Sequence, residues 1–277
     1  MDAEVTLDRA EPREFGSLLE AIFERYHYDF RHYAEASLRR RLAAALAHFG
    51  YRELSELHAR VVADRQVFTE LLRFLTVQVS DLFRDPNYYR ALREHVVPVL
   101  QTYPSLKVWV AGCATGEEAY SLAILLREEG LLERTQIYAT DIHPESLRVA
   151  EEGVYALDRL ARFSENYLLG GGRASLADYY VARYSSAVLD RSLKRSILFA
   201  DHSLATDSVF AEMQLVSCRN VLIYFERELQ DRAIGLLHDS LCRRGFLGLG
   251  SKESLRFSTH SLSFAEFLPD VRVYQRR

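Results

Sequence analysis

Four short segments carry residues whose types and spacing could do chemistry. In Val108-Trp109-Val110-Ala111-Gly112-Cys113-Ala114-Thr115-Gly116-Glu117-Glu118 an apolar strand-like run ends in a glycine-bearing turn, and a helix follows. The carboxyl end of a strand is where open α/β sheets bind their ligands. Gly112 and Gly116, beside Ala111, let a ligand approach the backbone closely. The turn is neither G-x-G-x-x-G nor a phosphate loop ending in Gly-Lys-Ser/Thr. Glu117 and Glu118 would repel a pyrophosphate and suit a cationic ligand or one rich in hydroxyls and amines. That points away from NAD or ATP and towards S-adenosylmethionine. A plain strand–helix turn, its acids complementing the helix dipole, is the alternative.

A second carboxylate ends a second strand-like run, Ile137-Tyr138-Ala139-Thr140-Asp141-Ile142, 25 residues beyond Gly116. An acid there can accept both hydroxyls of an adenosine ribose. With His143 ahead of Pro144 it would also suit a helix N-terminus, and both roles are compatible. The third segment, residues 215–225, is a buried strand running into Arg219-Asn220 at the same edge. Tyr224 lies four residues on, facing the same cleft or buried as a core tyrosine. In the fourth, residues 76–86, polar Gln78, Ser80 and Arg84 alternate with apolar residues ahead of Pro86. It sits where two parts of the chain join, a favoured place for a cleft. Arg84 is the arginine to pick for substrate or cofactor contact, and an ion pair with Asp81 or Asp85 is its competing use.

The elements that must position these residues are of two kinds. Residues 1–85 read as a small helical bundle. Leu18, Leu19, Ile22, Phe23 and Tyr26 recur at helical spacing. A helix from Ser37 to Phe49 carries a Leu38/Leu42/Leu46/Phe49 stripe with Arg40, Arg41 and His48 opposite, and Gly50 closes it. Two more amphipathic stretches follow, Leu54–Asp64 and Arg65–Val77. After a helix over Tyr88–Leu100, strands alternate with helices: strands at 107–111, 136–140, 213–218 and 246–250, helices at 117–129, 144–152 and 229–241. A last edge or hairpin strand lies at 271–275. This alternation argues for a mostly parallel, helix-covered sheet. Residues 158–198, with Gly170-Gly171-Gly172 and Tyr179, Tyr180, Val181 and Tyr184, break it and read as a small β insertion.

Composition narrows the classes. The 277 residues are 48% hydrophobic with a formal net charge of -4, enough for a packed core and without a basic block for a nucleic-acid backbone. No apolar run is long enough to span a bilayer. Met1–Glu20 lacks a basic-then-apolar leader pattern. Cys113, Cys218 and Cys242 are too widely spaced for a disulfide framework or a metal site, which fits a reducing, cytoplasmic setting. Of the 35 basic side chains only Lys107, Lys194 and Lys252 are lysines. Some arginine forks are therefore candidates for holding a carboxylate flat.

The segments Leu82-Phe83-Arg84-Asp85-Pro86, Ala114-Thr115-Gly116-Glu117-Glu118-Ala119-Tyr120-Ser121, Ala139-Thr140-Asp141-Ile142 and Cys218-Arg219-Asn220-Val221-Leu222-Ile223-Tyr224-Phe225 resemble the CheR-type chemotaxis receptor methyltransferases. The resemblance covers nearly the whole chain, including Tyr28-Asp29-Phe30 and Ser37-Leu38-Arg39-Arg40-Arg41. It implies an α/β fold: an N-terminal helical domain (1–85), then a Rossmann-like methyltransferase domain (86–277) with an inserted antiparallel β-subdomain (159–198). It implies transfer of a methyl group from S-adenosylmethionine to chemoreceptor glutamates, leaving S-adenosylhomocysteine. By position it places the cofactor against Gln78, Ser80, Arg84, Ala111, Gly112, Glu118, Asp141, Ser203, Leu204, Arg219 and Asn220. Gln78 and Ser203 stand where the pattern has asparagine, and Gln214 where it has aspartate.

A glutamate carboxylate is ionised at neutral pH, so its methylation needs alignment and desolvation rather than a general base. Arg84 and Tyr224 are the candidate catalytic residues, the first orienting the carboxylate and the second donating a hydrogen bond. The Arg40/Arg41/His48 face is the candidate contact for glutamate-rich receptor helices. A monomer is expected, without metal or nucleic acid. Two readings compete: a cofactor-binding module with little turnover, and a methyltransferase for a small molecule or a non-receptor signalling protein.

Overall fold

Leu18, Leu19 and Ile22 form the buried stripe of α1 (Pro12–Tyr26) in the computed structural model, which describes residues 12–277. Most of the Met1–Glu20 leader reading therefore lies outside the described residues. Three helices follow, α2 (Glu35–Phe49), α3 (Leu54–Ala63) and α4 (Arg65–Leu75). Each turns a leucine-rich stripe inward: Leu38, Leu42 and Leu46; Leu54, Leu57 and Val61; Phe68, Leu71, Leu72 and Leu75. Gly50 ends α2 in the left-handed region, φ +72°, as its position predicts. Asp64 separates α3 from α4 and accepts the Gln66 N–H at 2.8 Å. α4 stops two residues short of Val77 because Thr76 turns extended and donates its hydroxyl back to the Leu72 carbonyl at 2.8 Å.

These helices form one compact unit, up to Val77, which also takes in Ile223–Gln230. Phe225 bridges to Tyr33, with rings 4.8 Å apart, and the Tyr224 carbonyl accepts the Ala34 N–H at 2.9 Å. The expected division at residue 85 therefore moves to Val77/Gln78, and a second stretch of chain joins the helices.

The second unit, Gln78–Leu222 with Asp231–Arg277, is built on a seven-stranded sheet. It opens with α5 (Pro86–Ala91), a π turn (Leu92–Val96) and α6 (Val97–Leu100), where Pro98 has no N–H to give the preceding turn. Then come β1 (Leu106–Ala111), α7 (Glu117–Glu128), β2 (Thr135–Asp141) and α8 (Pro144–Glu152). The insertion holds β3 (Val154–Ala156), α9 (Leu160–Leu169), β4 (Tyr180–Arg183), β5 (Ser186–Leu189) and α10 (Arg191–Lys194). β6 (Ile197–Asp201), β7 (Met213–Cys218), α11 (Arg227–Ser240), β8 (Leu241–Leu249), β9 (Phe264–Leu268) and β10 (Val273–Arg276) complete it.

Strand order is β6-β2-β1-β7-β8-β10-β9, parallel through β8 and antiparallel beyond it. β1 lies between β2 and β7, so the winding reverses there and opens the ligand crevice of a doubly wound sheet. Central strands are apolar on both faces, and β1 exposes only Lys107. The last strand is the hairpin strand rather than an edge one: β10 pairs antiparallel with both β9 and β8, and β9 takes the edge. The insertion is a separate antiparallel sheet, β3-β5-β4, starting at Val154 rather than 159, with β6 already in the main sheet.

Candidate functional site

The turn after β1 is built by backbone donors and unusual torsions. Gly112 and Cys113 both donate to the Thr140 carbonyl, at 2.8 and 2.9 Å, and Ala114 N–H donates to Asp141 Oδ2 at 2.8 Å. Gly112, Ala114 and Gly116 have φ of +73°, +49° and +92°. At Gly116 a Cβ would stand 2.8 Å from the Ala150 Cβ and 3.1 Å from its Cα, so only glycine lets α7 begin against α8. A Cβ on Gly112 would fall inside the Val221 side chain. The first two strand ends and residue 221 are thereby held in register.

Asp141 is buried at the end of β2, its Oδ1 accepting the His143 N–H at 3.0 Å. Burial raises its pKa above the ordinary carboxylate value, opposed by the N–H groups of Ala114 and His143. Each oxygen has lone pairs beyond these bonds. Ser203 N–H donates to Asp207 at 2.9 Å, and its hydroxyl accepts from Ala205 and Thr206 N–H, capping its own turn. Leu204 beside it is buried.

The two acids of α7 divide their work. Glu117 is buried and spoken for, accepting from Arg159 at 2.9 Å and Thr115 at 2.7 Å. Glu118 accepts from Ser217 Oγ at 2.6 Å and Arg219 Nη1 at 3.1 Å. Arg219 is turned into the protein: Nη2 donates to Asp85 at 2.8 Å and to the Arg84 carbonyl at 3.2 Å, and its plane lies 4.2 Å from the Tyr88 ring centre. Its side chain braces Glu118. Asn220, next in the chain, adopts the left-handed region at φ +60°.

Arg84 stands apart. Asp81 is taken by Arg159 and Arg162, and Asp85 by Arg219. Neither of the ion pairs that competed for Arg84 forms, and Nη1 only meets the Val79 carbonyl at 3.3 Å. Close in sequence, the Ser80 carbonyl accepts from Arg159, and Gln78 Oε1 is buried without a partner among the described residues.

Three further residues have partners of their own within the protein. Gln214 accepts the Lys107 N–H at 2.7 Å, at the far end of β1 and β7 from the ligand turns, so its departure from the pattern does not touch the site. Arg41 does not share an exposed face with Arg40. It donates to the Leu75 and Ser37 carbonyls, and its guanidinium lies 5.5 Å from the Tyr224 ring centre. Burial lowers its pKa. His48 is exposed but pairs with Glu70 at 2.6 Å, and Arg40 is exposed as well. Tyr224 itself is carried by the helical unit.

Sequence reasoning missed Arg159, Ser217 and Glu253. Arg159 ties Ser80 and Asp81 to Glu117 from the start of the insertion. Glu253 accepts the N–H groups of Asn220, Val221 and Gly250. Only the glycine three residues before it hinted at such a turn.

The family described as CheR methyltransferase, SAM binding domain, matches residues 78–268, and CheR methyltransferase, all-alpha domain, matches residues 13–76. The Cher3 protein of Pseudomonas putida is 55% identical over 272 residues, 98% of this chain and 100% of that one. A chemotaxis protein methyltransferase of Listeria monocytogenes is 30% identical over 82% of this chain and 84% of its own length. In Rhodobacter capsulatus the match, 31% identical over 90% of this chain, spans 26% of a 104.1 kDa protein. The chain belongs to the CheR methyltransferase family, and S-adenosylmethionine is its methyl donor.

Proposed function

We propose that this enzyme methylates glutamate carboxylates on the cytoplasmic helices of a chemoreceptor or a related signalling protein, forming methyl esters. The observation that carries the reading is Arg84: both neighbouring aspartates pair with other arginines, which leaves its guanidinium without a carboxylate partner among the described residues. Such a fork suits an incoming carboxylate. Chemotaxis methyltransferases among the relatives support the same acceptor class.

The residues fit the donor. Asp141 offers spare lone pairs to a ribose diol, Glu118 a carboxylate to an ammonium or hydroxyl, and the unsatisfied Gln78 Oε1 an acceptor. Ala111, Gly112, Ser80, Leu204 and Asn220 line the same segments. When bound, S-adenosylmethionine supplies an electrophilic methyl group on a sulfonium. The acceptor carboxylate is already ionised, so no residue here has to remove a proton. Arg84 aligns it and keeps water from competing, and one weakly committed fork does this without blunting the nucleophile. Tyr224 donates a hydrogen bond in this reading, and its part is tested separately.

The test is a labelled methyl-transfer assay on receptor cytoplasmic fragments, scored as base-labile ester, beside calorimetry with S-adenosylhomocysteine. Arg84→Ala is expected to lower kcat about tenfold or more with a smaller change in product affinity, and Tyr224→Phe to follow the same pattern. Cofactor binding with no ester on receptor fragments, or full transfer by Arg84→Ala, would overturn the reading.

A further inference from the structure

We propose that Glu253 is a positioning residue for cofactor binding, acting through Asn220 and Val221. The two strands that flank this part of the crevice, β7 and β8, end at Cys218 and Leu249, and the chain turns away after each. Glu253 clamps both turns with one buried carboxylate. Oε2 accepts from Asn220 N–H at 2.9 Å and Gly250 N–H at 2.6 Å, and Oε1 accepts from Val221 N–H at 2.9 Å. Its own N–H closes the loop on the Gly250 carbonyl at 2.9 Å.

Convergence of two successive N–H groups on one carboxylate requires the left-handed backbone seen at Asn220, a conformation asparagine tolerates better than most residues. It also requires Gly250, where a Cβ would stand 2.8 Å from both Asn220 N and Nδ2. The effect extends to the first turn, because the Val221 side chain fills the space beside Gly112. Glu253 therefore fixes both the amide of Asn220 and the bed under the Gly112 turn.

The inference rests on the placement of Asn220 in the cofactor site, and its test separates the two. Glu253→Gln puts an amide NH₂ opposite N–H donors on one side while keeping the shape. In the full-length protein, S-adenosylhomocysteine affinity is measured by calorimetry for Glu253→Gln, Asn220→Ala and the double variant. Amide exchange at residues 220, 221 and 250 is read without ligand. Each single variant is expected to weaken binding about tenfold or more, and the double variant by clearly less than the product of the two. Exchange at the three amides should rise in Glu253→Gln. Gly250→Ala, whose Cβ would press on both the Glu253 carboxylate and the Asn220 amide, is expected to weaken binding likewise and serves where Glu253→Gln folds poorly. Unchanged affinity in Glu253→Gln, or effects that multiply in full, would overturn the positioning role. Unchanged affinity in Asn220→Ala would instead remove Asn220 from the site, and the proposal with it.

Discussion

The Glu118–Arg219–Asp85 cluster makes a quantitative prediction. Removing the Arg219 charge with Arg219→Met keeps much of the packing on Tyr88 and deletes the ion pairs. The Arg219 side chain is 1% exposed, Glu118 13% and Asp85 46%. Asp85 is rehydrated when it loses its partner, so its share is small. Glu118 is not, and keeps only the Ser217 hydroxyl. Breaking a buried pair costs about 3–5 kcal/mol, and the residual exposure of Glu118 places this case near 3 kcal/mol. For a unit of this size that is a fall in thermal midpoint of roughly 6–12 °C.

The signature is in the rescue. Glu118→Gln in the Arg219→Met background removes the stranded charge and is expected to recover about half the loss, whereas alone in the natural background it is destabilising. Arg219→Lys keeps the charge but cannot bridge Glu118, Asp85 and the Arg84 carbonyl together, and is expected to fall between. Urea unfolding of the four proteins is the assay. A cost below about 1 kcal/mol for Arg219→Met, or no rescue by Glu118→Gln, would refute the assignment of Arg219 as the brace of Glu118.

If Asp141 holds the cofactor ribose as proposed, its titration links cofactor affinity to pH. Its raised pKa means the folded chain holds a proton to higher pH than the unfolded one, so its contribution to stability declines as pH rises from the ordinary carboxylate value through the raised one. Cofactor binding runs the opposite way, since only the ionised form offers both oxygens as acceptors. S-adenosylhomocysteine affinity should fall as pH drops into the carboxylate range, and Asp141→Asn should abolish that limb in calorimetry. Gly116→Ala combines φ +92° with backbone overlap at Ala150 and is expected to cost about 2–4 kcal/mol in urea unfolding, with an unchanged midpoint as the contrary result. Arg40→Glu should leave S-adenosylhomocysteine affinity unchanged and lower kcat/KM on receptor fragments. Arg41→Ala should instead lower the stability of the helical unit by about 1–2 kcal/mol.

What could be read in the sequence is what depends on neighbours in the chain. Two-sided burial writes β1 and β7 as apolar runs, and a glycine followed by acids marks a strand-to-helix turn, so the parallel core and its ligand edge were legible. β9 and the interior place of β10 were not, because antiparallel pairing at the sheet's end is decided by registers with β8 that no local pattern encodes. Charges show the limit most clearly. Arg40 and Arg41 are adjacent on a helix, yet one is exposed and the other reaches a carbonyl 34 residues away. Arg84 and Arg219 both sit in motif segments and are indistinguishable as residue types. Their fates separate only because Arg159 and Arg162 take Asp81 while Arg219 itself takes Asp85. An arginine's availability to a substrate is thus set by competition for the acids around it, and two of the three competitors come from the insertion. The same segment that interrupts the fold's alternation therefore leaves Arg84 uncommitted. The double variant Arg159→Ala/Arg162→Ala tests that link: freeing Asp81 from both partners to pair with Arg84 should lower methyl transfer in the way Arg84→Ala does, and unchanged transfer would show that the competition does not matter.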